Sequence, residues 1–93
     1  MESEKRAKSN QIQISTKKDV KFFTFLAKIY LKEFQEIELH ALGEAISQAV
    51  KVAETLERYN YGKIIKINQF FQEIEGRNVV KIVIVLNKST ALE

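Results

Sequence analysis

Cysteine, proline and tryptophan are missing from this 93-residue chain, and histidine and aspartate occur once each. Without cysteine there is no disulfide framework, no thiolate metal site and no cysteine nucleophile, a pattern that fits a reducing compartment. No apolar run approaches the ~20 residues that a membrane-spanning helix requires. The charged N-terminus has no apolar segment, which argues against a secretory signal. Gly43, Gly62 and Gly76 are the only glycines, too scattered to build a phosphate-binding loop.

Catalytic groups are equally scarce. His40 lies between Leu39 and Ala41 in a strand-like stretch. A structural or surface role for it outweighs catalysis by roughly four to one, since a general base needs a partner placed by the fold. Asp19 is better used as a helix-start residue. Glu73 and Glu75 share a strand face, and Glu54 and Glu57 share a helix face. Carboxylates so arranged are usually solvated, and no second pair completes a metal-ligand set. The expectation is a non-enzyme with no cofactor, no metal and no small-molecule substrate.

What remains is ample for one small core. Apolar residues make up 45% of the chain, nine residues are aromatic, and the net charge is +3 with a pI near 9.2. That balance is compatible with polyanion binding but too mild to establish it. A domain of this size buries only ~60–65% of the surface its unfolded chain exposes, and oligomerisation is a common remedy. Residues 1–10 read as a flexible polar tail with a loose basic cluster at Lys5, Arg6 and Lys8, and residues 90–93 as a short C-terminal tail; 11–89 form the domain.

The chain is organised around Glu36–Tyr59. Ile37, Leu39 and Ala41 alternate with Glu38 and His40, the period of a half-buried strand. Gly43 interrupts, because the chain turns at positive φ or presses its backbone on something. From Ala45 the apolar positions take helical spacing, with Ser47, Lys51, Glu54 and Arg58 on the opposite face. Upstream, Ile12 and Ile14 mark a short strand, Thr16–Asp19 a turn, and Val20–Glu33 a helix capped by Asp19. Its apolar arc covers well over half the circumference, so something besides its own sheet, the second helix being one candidate, is expected to cover the surplus. Downstream, Gly62 is expected to act as a C-cap or turn residue. Lys63–Glu75 forms a long strand with a bulge near Asn68-Gln69, and Glu75–Asn78 a turn. Val79–Leu86 is then a strand buried on both faces. The fold class is α/β (α+β), β-α-β-α-β-β, a mixed four-stranded sheet with two helices on one face. The first crossover is expected to be right-handed.

Ala41-Leu42-Gly43-Glu44-Ala45-Ile46-Ser47 followed by Ala49-Val50, with Lys17-Lys18 at the earlier strand–helix turn, resembles the signature of the Alba family of nucleic-acid-binding proteins. The resemblance runs to about Lys88 and implies the same fold. It further implies binding of RNA and/or DNA mainly through the phosphate backbone, with little sequence preference. On it, Lys17 and Lys18 grip phosphate, with Lys21 one turn along. Arg77 occupies the tip of a hairpin arm that reaches the nucleic acid in family members, on a hairpin that looks short here. Gly43 lies at the ligand edge, flanked by Lys51 and Arg58 on the second helix. Family members dimerise through the second helix and last strands, which points to Leu56, Phe70 and Phe71; of the two phenylalanines one is expected in the core and the other left over. The partner is a second copy or another Alba-like protein. Leu42 and Glu44 depart from the arginines of archaeal members and point to the eukaryotic branch, whose members act in chromatin or RNA regulation in nucleus or cytoplasm. The alternative is a structural subunit of a ribonuclease P/MRP-type ribonucleoprotein.

Overall fold

The computed structural model describes residues 9–89; both tails, with Lys5, Arg6 and Lys8 in the first, lie outside that span apart from Ser9 and Asn10. Within it the chain runs β1 (Gln11–Ile14), α1 (Val20–Glu33), β2 (Glu36–Leu42), a 3-10 turn (Gly43–Ala45), α2 (Ile46–Arg58), β3 (Gly62–Ile74) and β4 (Arg77–Lys88). The sheet order is β1-β2-β4-β3, with β1 parallel to β2 and the other pairs antiparallel.

One face of the sheet carries the core. Ile12, Ile14, Ile37, Leu39, Ala41, Ile82, Ile84 and Leu86 meet Phe23, Ala27 and Leu31 of α1 and Ala49, Val52, Ala53 and Leu56 of α2. The period-2 pattern of the strands and the i, i+4 pattern of each helix are two halves of one interface. Leu56 is completely buried in it. That corrects the expectation of Leu56 as a dimer contact: its side chain is spent on the fold of a single chain.

The β-branched run of β4 is buried on both faces only in part. Ile82, Ile84 and Leu86 are covered by helices, whereas Lys81, Val83, Val85 and Asn87 lie on the face that no described element covers. Burial of Val85 there comes from β4's central place between β2 and β3. The lone Lys81 inside the apolar run is the residue that marks the open side.

Three junctions follow from local chemistry. Asp19 caps α1, its side chain accepting from the Phe22 N–H at 2.9 Å. Gly43 has φ +53°, a conformation that costs an L-residue strain. The end of α2 departs from expectation: Asn60, not Gly62, takes the left-handed conformation at φ 64°. Tyr61 N–H then donates to Leu56 C=O and Asn60 N–H to Glu57 C=O, the paired closure of a Schellman motif. Gly62 instead opens β3, where a Cβ would come within 3.2 Å of both the Asn87 carbonyl oxygen and Leu31 Cδ1. It is glycine for close packing.

The irregularity in β3 is also earlier than expected. Register slips between Ile64 and Lys66, not at Asn68-Gln69, and the Glu57 carboxylate accepts from the Ile64 N–H at 3.2 Å beside the slip. Past it, β3 and β4 pair without interruption to Ile74–Arg77, closed by Glu75 and Gly76 at φ 51° and 79°, a two-residue turn with positive φ at both positions.

Candidate functional site

Strand directions bring three connections to one end of the sheet. β1 and β2 are parallel, and β3, antiparallel to β4, shares the direction of β2. The turn after β1, the Gly43 turn after β2 and the β3–β4 hairpin therefore all leave the sheet together. Lys17 and Lys18 occupy the first turn and are exposed. Gln48, in the first turns of α2, donates from Nε2 to the Lys18 carbonyl at 2.8 Å and so fastens this turn to the second helix. The Lys18 ammonium sits 5.2 Å from the centroid of the Phe22 ring. The Asp19 side chain already satisfies the Phe22 N–H of α1, so phosphate contact here rests on the lysine side chains more than on the helix end.

The hairpin is longer than the sequence suggested. Leu42, the last residue of β2, pairs with Lys81. Arg77–Val80 and their β3 partners extend four residues past it, about 13 Å at a strand's rise per residue. Arg77 thus stands near the tip of a projecting arm. A Cβ on Gly43 would lie 3.7 Å from Val79 Cγ1, so the arm's base lies against the Gly43 turn. Lys81, which pairs with Leu42 and Phe70, adds a cation at this end that sequence reasoning passed over; its isolation among β-branched neighbours was the available signal.

Of the remaining expected residues, Lys21 is exposed in the first turn of α1 and Lys51 on α2. Arg58, at the far end of the 13-residue α2, lies about 18 Å along the axis from its start. It donates to both Glu54 carboxylate oxygens, at 2.9 and 3.3 Å, and lies 5.0 Å from the Tyr59 ring centroid. That hydrogen bond first, and the nearby negative charge second, push its pKa above the ordinary value. The structure does not bring Arg58 together with Lys17 and Lys18.

Both phenylalanines of β3 are exposed, against the expectation that one would be core. Phe70 lies across from Lys81 on the open face, and Phe71 across from Val80 on the helix-facing side, where the hairpin has outrun the helices. Ile67 shares the helix-facing side and is exposed with Phe71. Val50 is exposed on the flank of α2 that also holds Glu57, the residue bonded to Ile64 of β3. Val50, Ile67 and Phe71 therefore border one apolar strip between α2 and the arm. His40 is buried on the opposite face, its Nε2 2.8 Å from Glu38 Oε1, and Nδ1 has no hydrogen-bond partner among the described residues. No group of three or more potential metal ligands occurs among the described residues.

The Alba family model matches residues 10–74. The chain is 40% identical over 89 residues to an uncharacterised Arabidopsis thaliana protein, covering 88% of this chain and 68% of that one. It is 35% identical over 72 residues to the DNA/RNA-binding protein ALBA2 of Plasmodium falciparum, covering 77% of this chain and 32% of that longer one. Among solved structures, ALBA1 from Trypanosoma brucei superposes with a TM-score of 0.82 at 28% identity, over 94% of this chain and 75% of the other. Alba from Thermoplasma volcanium gives 0.74 at 26%, over 84% and 99%. The Alba model spans the strand–Gly43–helix junction, both helices and β3, and the solved Alba folds cover nearly all the rest: the chain belongs to the Alba family.

Proposed function

We propose that this protein binds RNA or DNA as a dimer, holding the phosphate backbone at the sheet end formed by Lys17, Lys18, the Gly43 turn and the Arg77 arm. The observation that carries the reading is the fastening of the Lys17-Lys18 turn to α2 through Gln48, at the end from which the arm projects. A lysine pair on a free loop is solvated surface; one anchored at the sheet end from which the hairpin carries Arg77, with Glu73 and Glu75 beside it, is held in place for a polyanion. The family and the name of the Plasmodium relative support the ligand class. Contacts of this kind carry no base information, so sequence preference is slight. The protein acts as a binding module, without turnover of the nucleic acid.

Each phosphate contact changes the slope of log affinity against log salt by roughly 0.7–0.9. Lys17→Ala with Lys18→Ala is expected to flatten that slope by somewhat under two units and to weaken all sequences alike, read by fluorescence anisotropy at several salt concentrations. An unchanged slope moves the site to another surface.

Dimerisation rests on the apolar strip of Val50, Ile67 and Phe71, exposed on a chain too small to leave it open without cost. The strip lies on α2 and β3, the elements through which the family resemblance places the dimer contact.

A further inference from the structure

A groove of about 370 Å³ separates α1 from α2 on the helical side of the molecule, away from the sheet face. Its walls include Phe25 and Tyr59, exposed by 63% and 58%, together with Tyr61. Lys21 and Lys28 line it, and among the described residues no carboxylate does. The Lys28 ammonium lies 4.3 Å from the Tyr61 ring centroid, and Tyr61 stands 6.2 Å from Tyr59. Thr24 is on the wall with its hydroxyl buried and without a hydrogen-bond partner among the described residues. Threonine in a helix divides between two χ1 wells, so a rotation can present that hydroxyl to the groove. Flat apolar walls, cations without counter-charges among the described residues and a spare hydroxyl suit a planar aromatic ligand that carries negative charge.

We propose that this groove receives an unpaired base of a single-stranded nucleic acid, stacked against Phe25 and Tyr59, with the adjoining phosphate held by Lys21 or Lys28. The inference rests on the proposed phosphate site and extends it. Phe25 lies about 8 Å along the axis of α1 from its first residue, Val20, and Lys18 stands two residues before that start, so a strand gripped at the Lys17-Lys18 turn reaches the groove within a few nucleotides. A duplex keeps its bases stacked inside and gains nothing from the groove. Base stacking on exposed aromatics is tolerant of sequence, in keeping with the backbone contacts. The site therefore separates single strands from duplexes.

The test compares a labelled 15-nucleotide oligouridylate with a duplex of the same length, for the wild type and for Phe25→Ala, Tyr59→Ala, Phe25→Tyr and the Lys17→Ala/Lys18→Ala pair. Both aromatic positions are exposed, and far-UV circular dichroism checks that each variant is folded. Phe25→Ala and Tyr59→Ala are each expected to weaken single-strand binding about tenfold, with duplex affinity changed less than twofold. Phe25→Tyr keeps the wild-type value, and the lysine pair weakens both ligands. Unchanged single-strand affinity in both alanine variants, while the lysine pair still loses binding, overturns the groove site and leaves the phosphate site standing. Equal losses on single strand and duplex also overturn it. If these variants instead abolish self-association, or binding of an acidic aromatic peptide, with RNA affinity intact, the groove belongs to a protein and the inference fails. A lysine pair without effect on either ligand refutes the phosphate reading itself.

Discussion

Replacing Phe71 with alanine tests the proposed dimer where the magnitude can be worked out. The side chain is 70% exposed, and a phenylalanine carries roughly 200 Å², so about 140 Å² of ring is open to water. A two-fold interface uses the same patch from both protomers, and every ring therefore counts twice. If half of that open area is covered on each side, ~25 cal/mol per Å² gives about 1.8 kcal/mol per ring and about 3.5 kcal/mol per dimer. Alanine keeps a small part of the contact, which leaves a loss of about 3 kcal/mol, or roughly two decades in dissociation constant. The single chain should not notice, because substitutions at exposed positions usually fall within about 0.5 kcal/mol. Sedimentation equilibrium from nanomolar to high micromolar concentration reads the dissociation constant, and urea unfolding of the diluted monomer reads the fold. A Phe71→Ala protein that dimerises as tightly as wild type places the interface elsewhere.

Leu56→Ala makes the opposite statement: it should destabilise the single chain by about 2–5 kcal/mol, seen as a lower urea midpoint, because Leu56 has no exposed surface to give a partner. Gly62→Ala is expected to cost about 1–3 kcal/mol by overpacking, since its Cβ meets a strand carbonyl and a core leucine at 3.2 Å. Gly43→Ala is expected to cost about 1–2 kcal/mol through backbone strain alone, its nearest neighbour being an ordinary 3.7 Å away; thermal unfolding of each variant reads the loss. Leu42→Arg with Glu44→Arg raises the charge at the Gly43 turn by three per chain, two cations gained and one carboxylate lost, and should tighten duplex DNA binding about tenfold or more. Titration at two salt concentrations checks this last outcome, and no gain means that this turn does not face the ligand.

The sequence disclosed what depends on neighbours in the chain and concealed what depends on length and on crossing strands. Asp19 before an amphipathic run and Gly43 between two periodicities are local signals, and α1 and the positive-φ turn stand where they point. Gly62 misled because a glycine just past a helix reads as a cap, while the αL position can equally be filled by asparagine, as Asn60 does here. Its true constraint comes from Asn87 and Leu31, residues distant in sequence. The bulge was misplaced for a similar reason: the alternation of β3 weakens at Asn68-Gln69, yet the slip lies at Ile64–Lys66, beside the α2 carboxylate of Glu57.

The same distinction explains the candidate site. That Lys17 and Lys18 lie on a turn is legible locally; that the turn is fastened by Gln48 is not, since 30 residues separate donor from acceptor. Leu56 and Val50 are both apolar members of one helix, and only the packing of that helix against the sheet and α1 separates the first, in the core, from the second, left open. Phe70 and Phe71 were expected to divide between core and surface because adjacent strand residues face opposite sides. They do face opposite sides, but Phe70, level with Leu42, lies on the sheet face that no described element covers, and Phe71 lies on the helix-facing side where the hairpin has run past β2. Strand length, set by the uninterrupted pairing of β3 with β4, thus turns Phe71 into surface and carries Arg77 outward in the same stroke. The extension that carries Arg77 outward also adds Phe71 to a strip whose other members, Ile67 and Val50, lie within the sheet and on α2.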